Sequence, residues 1–294
     1  MKTRRLWLIF LAVLTVSFAV LLIFGREIYH QAPPIPDKVV KPDGTVIFTG
    51  TDIRDGQNVW QSIGGHELGT IWGHGSYVAP DWSAEWLHRE AVFMLESLAK
   101  SEYNSTFDSL PAEKQAYLKV LLQKDLRKNT YNPADKSIVV SDLRTQAIAD
   151  NCVYYEKLFT DDPAFDRLRE QYAIKTNTLT DKERIRKLNA FFFWTAWSCV
   201  TNRPGSNISY TNNWPAEELV GNSPSGALLL WTGFSVIMLI AGIGLMVWYY
   251  ARKREESYES IASGFPLGST SNTPSQKATL KYFWIVTLLI LVQV

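Results

Sequence analysis

Three stretches of the chain are apolar enough to read as membrane segments, and they divide everything else. Leu6 to Phe24 is an uncharged run of 19 residues. At about 1.5 Å per residue it reaches roughly 28 Å, close to the thickness of a bilayer core. Ala227 to Tyr250 is a second run, of 24 residues. A third begins near Tyr282, and its 13 residues to Val294 are too few to cross about 30 Å. The expectation is therefore the front end of a longer, polytopic membrane protein.

Between the first two runs the pattern becomes that of a folded domain. Ala32-Pro33-Pro34-Ile35-Pro36 is a stiff extended spacer. Val39-Val40 and Thr45 to Phe48 flank Pro42-Asp43-Gly44, a hairpin turn. Asp52 to Gln61 reads as a short helix stopped by Gly64-Gly65. Trp82 to Lys100 carries apolar residues at helical spacing: Trp82, Trp86, Ala91, Phe93, Leu95 and Leu98. Pro111 to Lys128 is another helix, with proline in its first turn and lysines at its end. Ile138 to Val140 is a strand candidate, and Ser141 caps a helix running towards Phe159. Pro163 to Tyr172 is short and charged. Thr180-Asp181-Lys182-Glu183 has the capping-box pattern before a long helix that ends in Phe191 to Cys199, apolar almost all round. Such a surface is buried in protein or lies against lipid. Residues 257–277, rich in Ser, Thr, Gly and Pro, read as a flexible loop.

Charge fixes the expected orientation. The 294 residues are 46% hydrophobic and 20% charged, with a net charge of +1. That balance argues against nucleic-acid binding, which needs a basic face. Lys2, Arg4 and Arg5 precede the first run, while Arg252, Lys253 and Arg254 follow the second and Lys277 and Lys281 precede the third. The positive-inside rule puts these in the cytoplasm and the intervening domain outside. Phe24-Gly25-Arg26-Glu27 offers no small-residue cleavage site, so the first run is expected to stay as an anchor.

The chemistry-bearing residues concentrate in Trp60 to Glu90, which holds four tryptophans, five glycines and three of the four histidines. His66, Glu67, His74 and His88 fit no common zinc spacing. Glu85 and Glu90 read as a solvated or ion-paired helix face rather than a general acid and base. Cys152 and Cys199 either pair across an oxidising exterior or are two separate buried thiols. Arg203, before Pro204, either meets an anionic group or caps a turn.

Gly73 to Trp82, Phe191 to Trp197, Thr201 to Gly205 and Tyr210 to Pro215 together resemble, in order and spacing, the N-terminal extension of quinol-dependent nitric oxide reductases, single-chain relatives of the haem-copper oxidases. The resemblance covers residues 1 to about 290. It implies a mainly α membrane protein: an N-terminal transmembrane anchor (1–25), an extracytoplasmic cytochrome c-like helical domain with minor β structure and no haem c (26–225), a second transmembrane helix (226–251), a cytoplasmic loop (252–279) and the start of a third helix in a polytopic bundle (280–294). Covalent haem c needs Cys-x-x-Cys-His. Ser62-Ile63-Gly64-Gly65-His66 has that spacing, with Ser62 and Gly65 where the thiols belong.

The resemblance further implies a multi-pass protein of the bacterial inner membrane, with residues 26–225 periplasmic, that reduces NO to nitrous oxide and water with electrons from membrane quinol. Haem b, haem b3 and non-haem iron are the implied cofactors. Their imidazole ligands are absent from the apolar runs, because the histidines are His30, His66, His74 and His88. No catalytic residue is therefore expected within these 294 residues. Gly75 and Tyr77 correspond to a Gly-x-Tyr that supplies oxygens to calcium in two-subunit relatives; the alternative is a structural turn with a buried tyrosine. The implied partners are quinol, NO, the lipid bilayer and the remaining catalytic bundle, with a homodimer left open and no nucleic acid. A membrane receptor with an outer helical sensing domain is the competing reading.

Overall fold

The structure is a computed structural model and describes residues 2–73, 79–224, 226–262, 280–285 and 287–288. It divides into two units, Met1–Leu228 and Leu229–Val294.

The first unit opens with helix α1 (Lys2–Gln31), which continues past the end of the apolar run. Its large apolar side chains from Trp7 to Tyr29 are exposed. Strand β1 (Lys38–Val40) and strand β2 (Val46–Thr49) form the expected hairpin, with Val39 opposite Phe48 and a register shift between Val39 and Val40. Asp43 accepts the Thr45 amide at 2.8 Å, which tightens the turn. Strands β3 (Tyr131–Asn132) and β4 (Ser137–Val139) complete a sheet of order β2-β1-β4-β3, in which β1 and β4 run parallel. Strand β4 starts one residue before the expected segment. Val140 still donates to the Val40 carbonyl at 3.0 Å, so the ladder runs on through it.

Four helices pack around a central one to build the core. Helix α2 (Gly50–Ser62) starts two residues earlier than its apolar pattern suggests, because Thr49 and Asp52 form a reciprocal capping box. Helix α3 (Trp82–Tyr103) begins at Asp81, whose carboxylate accepts the Ala84 amide. Helix α4 (Ala112–Arg127) places Pro111 at the cap rather than in the first turn. Helix α5 (Asp142–Phe159) is capped by Ser141 as expected. Helix α6 (Asp166–Gln171) follows a short 3-10 turn at Pro163–Phe165. Helix α7 (Lys182–Val200) is capped by Asp181, not by Thr180: the Asp181 carboxylate reaches both the Glu183 and Arg184 amides.

The burial of α7 answers the sequence question about its apolar end. Leu188 to Val200 is buried without interruption, inside protein rather than against lipid. It packs against α2, α3 and α5. The Phe192 ring stacks on Trp82 at 5.4 Å, and Tyr155 stacks on Trp86 at 5.4 Å with an interplanar angle of 1°. Fully burying one such side chain is worth about 1.5–3 kcal/mol, and a favourable ring pair adds about 0.5–1.5 kcal/mol.

Helix α8 begins at Gly226, at the end of the first unit, and extends to Ala262 in the second, past Arg254 and into the segment expected as a cytoplasmic loop. Residues 263–279, the rest of that loop, lie outside the described residues, whereas 280–285 are helical. Thr3–Gln31 and Gly226–Arg254 are each long and apolar enough to cross a membrane.

Candidate functional site

The segment with haem-attachment spacing sits where α2 ends. Gly64 and Gly65 have φ of 131° and 53°, a conformation glycine adopts without Cβ strain. They turn the chain into a 3-10 helix at Gly65–Leu68. The Ser62 hydroxyl donates to the Val59 carbonyl at 2.6 Å and accepts from the Arg184 guanidinium at 2.7 Å. The His66 ring lies edge-on to Trp60, with centroids 4.8 Å apart. Trp60 in turn packs on Phe191 of α7. The residues at the attachment spacing therefore serve a helix end and an aromatic contact. Without thiols at 62 and 65 they do not fit a covalent haem.

The described ends of the Gly/Trp-rich loop are clamped together. The Thr70 amide donates to the Pro80 carbonyl and its hydroxyl to Asp81 at 2.7 Å, while the Trp82 amide returns to the Thr70 carbonyl at 2.8 Å. The Trp82 indole donates to the Leu68 carbonyl at 2.7 Å. Trp72 has a left-handed backbone, φ 58°, unusual for a bulky residue. Three contacts hold it: its amide to the Ser83 hydroxyl, its indole N–H to the Thr195 carbonyl, and its ring against Trp194. Gly75 and Tyr77, the calcium candidates, lie outside the described residues, as does His74.

The other candidates are dispersed. His30 lies in the last turn of α1, and His88 Nδ1 is 2.9 Å from Glu217. Among the described residues no three His, Cys, Asp or Glu side chains converge on a position for a metal ion. Cys152 and Cys199 are free thiols in separate surroundings. Burial pushes Cys152 up to about 12 and raises Cys199 further.

Of the two alternatives read for Glu85 and Glu90, solvated or ion-paired, the structure shows the ion-paired one. Glu90 is fully buried and meets Arg144 of α5 at 2.8 Å. Burial pushes its carboxyl above the ordinary value, and Arg144 opposes this only in part. Glu85 is raised for the same first reason; it accepts from Arg89 and from the Tyr154 hydroxyl. Arg89 also lies 3.2 Å over the Tyr154 ring. No feature of the sequence around either glutamate points to Arg144, which is 54 residues from Glu90. Arg203 holds a turn: its guanidinium donates to the Tyr210 carbonyl at 2.8 Å and to Asn212 at 3.1 Å.

Comparison with curated proteins gives no match. A protein-family model does match: the cytochrome c-like domain of the nitric oxide reductase NorB, over residues 36–216. That span runs from Pro36, the end of the proline spacer, to Ala216, and so contains the sheet and helices α2 to α7. The chain belongs to the NorB family of nitric oxide reductases, an oxidoreductase family of the membrane, and residues 36–216 are its cytochrome c-like domain.

Proposed function

We propose that this chain is the outer-domain portion of a quinol-dependent nitric oxide reductase, which reduces NO to nitrous oxide and water. One observation carries the choice of donor. This cytochrome c-like domain contains no Cys-x-x-Cys-His, and its two cysteines, Cys152 and Cys199, lie far apart in the sequence. The domain thus lacks the means to anchor a haem c, and a carrier dissolved in the bilayer is the fitting source of electrons. The apolar spans contain no histidine, so the ligands of haem b, haem b3 and non-haem iron are to be supplied by the remaining catalytic bundle. Calcium at Gly75 and Tyr77 belongs to the same reading. So does the placement of residues 26–225 on the periplasmic side of the bacterial inner membrane.

The family match over the outer segment favours this reading over a membrane receptor. The test is NO consumption by membranes bearing the full-length protein, followed with an NO electrode. Uptake is expected with a reduced short-chain quinol and not with reduced cytochrome c. Uptake with cytochrome c alone, or none with quinol, overturns the reading.

A further inference from the structure

We propose that the cavity between the end of α4 and the start of α5 binds a phosphate ester. It is about 420 Å³, within the ordinary range for small-molecule sites. Lys124, Asp125 and Lys128 line it from α4 and its C-cap, Val139 from β4, and Ser141 and Arg144 from the start of α5.

Local structure brings these groups together. Lys124 and Lys128 are four positions apart at the end of α4, and both reach the same cavity. Just beyond β4, Ser141 starts α5. Its hydroxyl accepts the Arg144 amide at 3.1 Å and donates to Asp125 at 2.7 Å, which ties α5 to α4.

Arg144 carries the inference. Its side chain is 4% exposed. Nε and Nη2 are spent on Glu90, at 2.8 and 3.4 Å. Nη1 makes no hydrogen bond among the described residues, and it is not sealed from solvent. Buried guanidinium groups rarely leave a donor idle. The cavity is the open space that Arg144 lines, so an acceptor for Nη1 has to come from within it.

Charge selects the ligand class. Lys124 and Lys128 are exposed and make no ion pair among the described residues. With Arg144 they set three cations against one lining carboxylate, Asp125, and Glu90 behind Arg144 offsets one more. One positive charge is left over, which favours an anion. The N-terminus of the 18-residue α5 adds the positive end of its dipole. A guanidinium edge with two ammonium groups matches the several oxygens of a phosphate better than the two of a carboxylate. Val139 gives the rest of the cavity an apolar wall, which suits the carbon part of an ester.

The experiment is isothermal titration calorimetry of the full-length protein in detergent and phosphate-free buffer, with sn-glycerol 3-phosphate as the probe. Saturable binding is expected, with displacement by inorganic phosphate. Lys124→Glu combined with Lys128→Glu weakens it by at least about tenfold, because both lining ammonium charges are reversed. Lys100→Glu, at the end of α3, leaves it unchanged. Circular dichroism verifies the fold of the variants. Lys124→Gln with Lys128→Gln also weakens binding, which keeps the result readable if the double glutamate does not fold. Native mass spectrometry of protein extracted from membranes separates the sources of the ester. A phospholipid adduct that the double glutamine variant loses assigns a lipid head group, and no such adduct assigns a soluble ester. Absence of saturable binding at millimolar probe overturns the proposal. So does binding that survives intact in both double variants, or acetate binding as tightly as the phosphate.

Discussion

Gly56 of α2 lies against Phe191 of α7 so closely that a Cβ on Gly56 would sit 2.8 Å from the Phe191 Cβ. The same Cβ would also collide with the Lys187 backbone carbonyl. This is where the two helices cross, and the contact is backbone on backbone. A side chain there cannot swing aside. Gly56→Ala is therefore expected to lower stability by at least about 1–3 kcal/mol, the range for overpacking, despite alanine's higher helix propensity. Thermal unfolding of the full-length protein in detergent checks this; an unchanged or higher Tm would refute the close approach.

The buried Glu90–Arg144 pair makes a different demand. Removing one partner strands a charge away from water. Glu90→Gln and Arg144→Met are each expected to cost about 3–5 kcal/mol. The double replacement Glu90→Leu with Arg144→Leu recovers most of that loss, since an apolar pair carries no desolvation penalty. Denaturant unfolding of the two single variants and the double variant forms the test.

Asp52 makes an acid-dependent contribution of known sign. Burial pushes its carboxyl up, but the bonds from Arg186 and Thr49 outweigh this and hold it below the ordinary 3.8. A depressed folded value means that the unfolded chain binds the proton first. The stabilisation is thus present above about pH 4 and is lost as pH falls through the folded value. Arg186 is 42% exposed, so the expected contribution is discounted to about 1–2 kcal/mol. Asp52→Asn should be less stable than the parent at pH 6 by about that amount, and the two curves should converge near pH 2. Glu85 and Glu90 act with the opposite sign and are present in both proteins, so they drop out of the difference.

The thiols should be inert. With burial pushing Cys152 up to about 12, only about one molecule in ten thousand is thiolate at pH 8. Alkylation of folded protein with iodoacetamide should leave Cys152 and Cys199 unmodified over the time in which denatured protein reacts at both. Rapid reaction in the native state would contradict the burial of Cys199 and the partial burial of Cys152.

Covalent haem is the sharpest readout of the Ser62–His66 segment. Denatured full-length protein stained for thioether-linked haem is expected to show no band. A stained band would require attachment through some other group.

The sequence carried the local signals and lost the distant ones. Helices α3, α5 and α7 were legible because their apolar period and their caps lie within a few residues of each other. The start of α2 was missed because Asp52 takes the capping-box position usually held by Glu or Gln. The parallel pairing of β1 with β4 joins residues about 100 positions apart, and the two-residue β3 has no periodicity to detect. Glu90 was read as solvated or ion-paired, and the sequence could not choose between these or show its burial because its partner is on another helix. The missing thiols at Ser62 and Gly65 were plain in the sequence, whereas the packing of His66 on Trp60 needed the fold.

The proline spacer has a mechanical consequence. Only a handful of residues separate the end of α1 from β1, and Trp194 ties the middle of that link to the core through Pro34. Fully extended, the six residues 32–37 reach at most about 22 Å. A lobe on so short a leash cannot swing far from the end of α1. The lobe is therefore expected to follow the helix that carries it, the two moving as one piece.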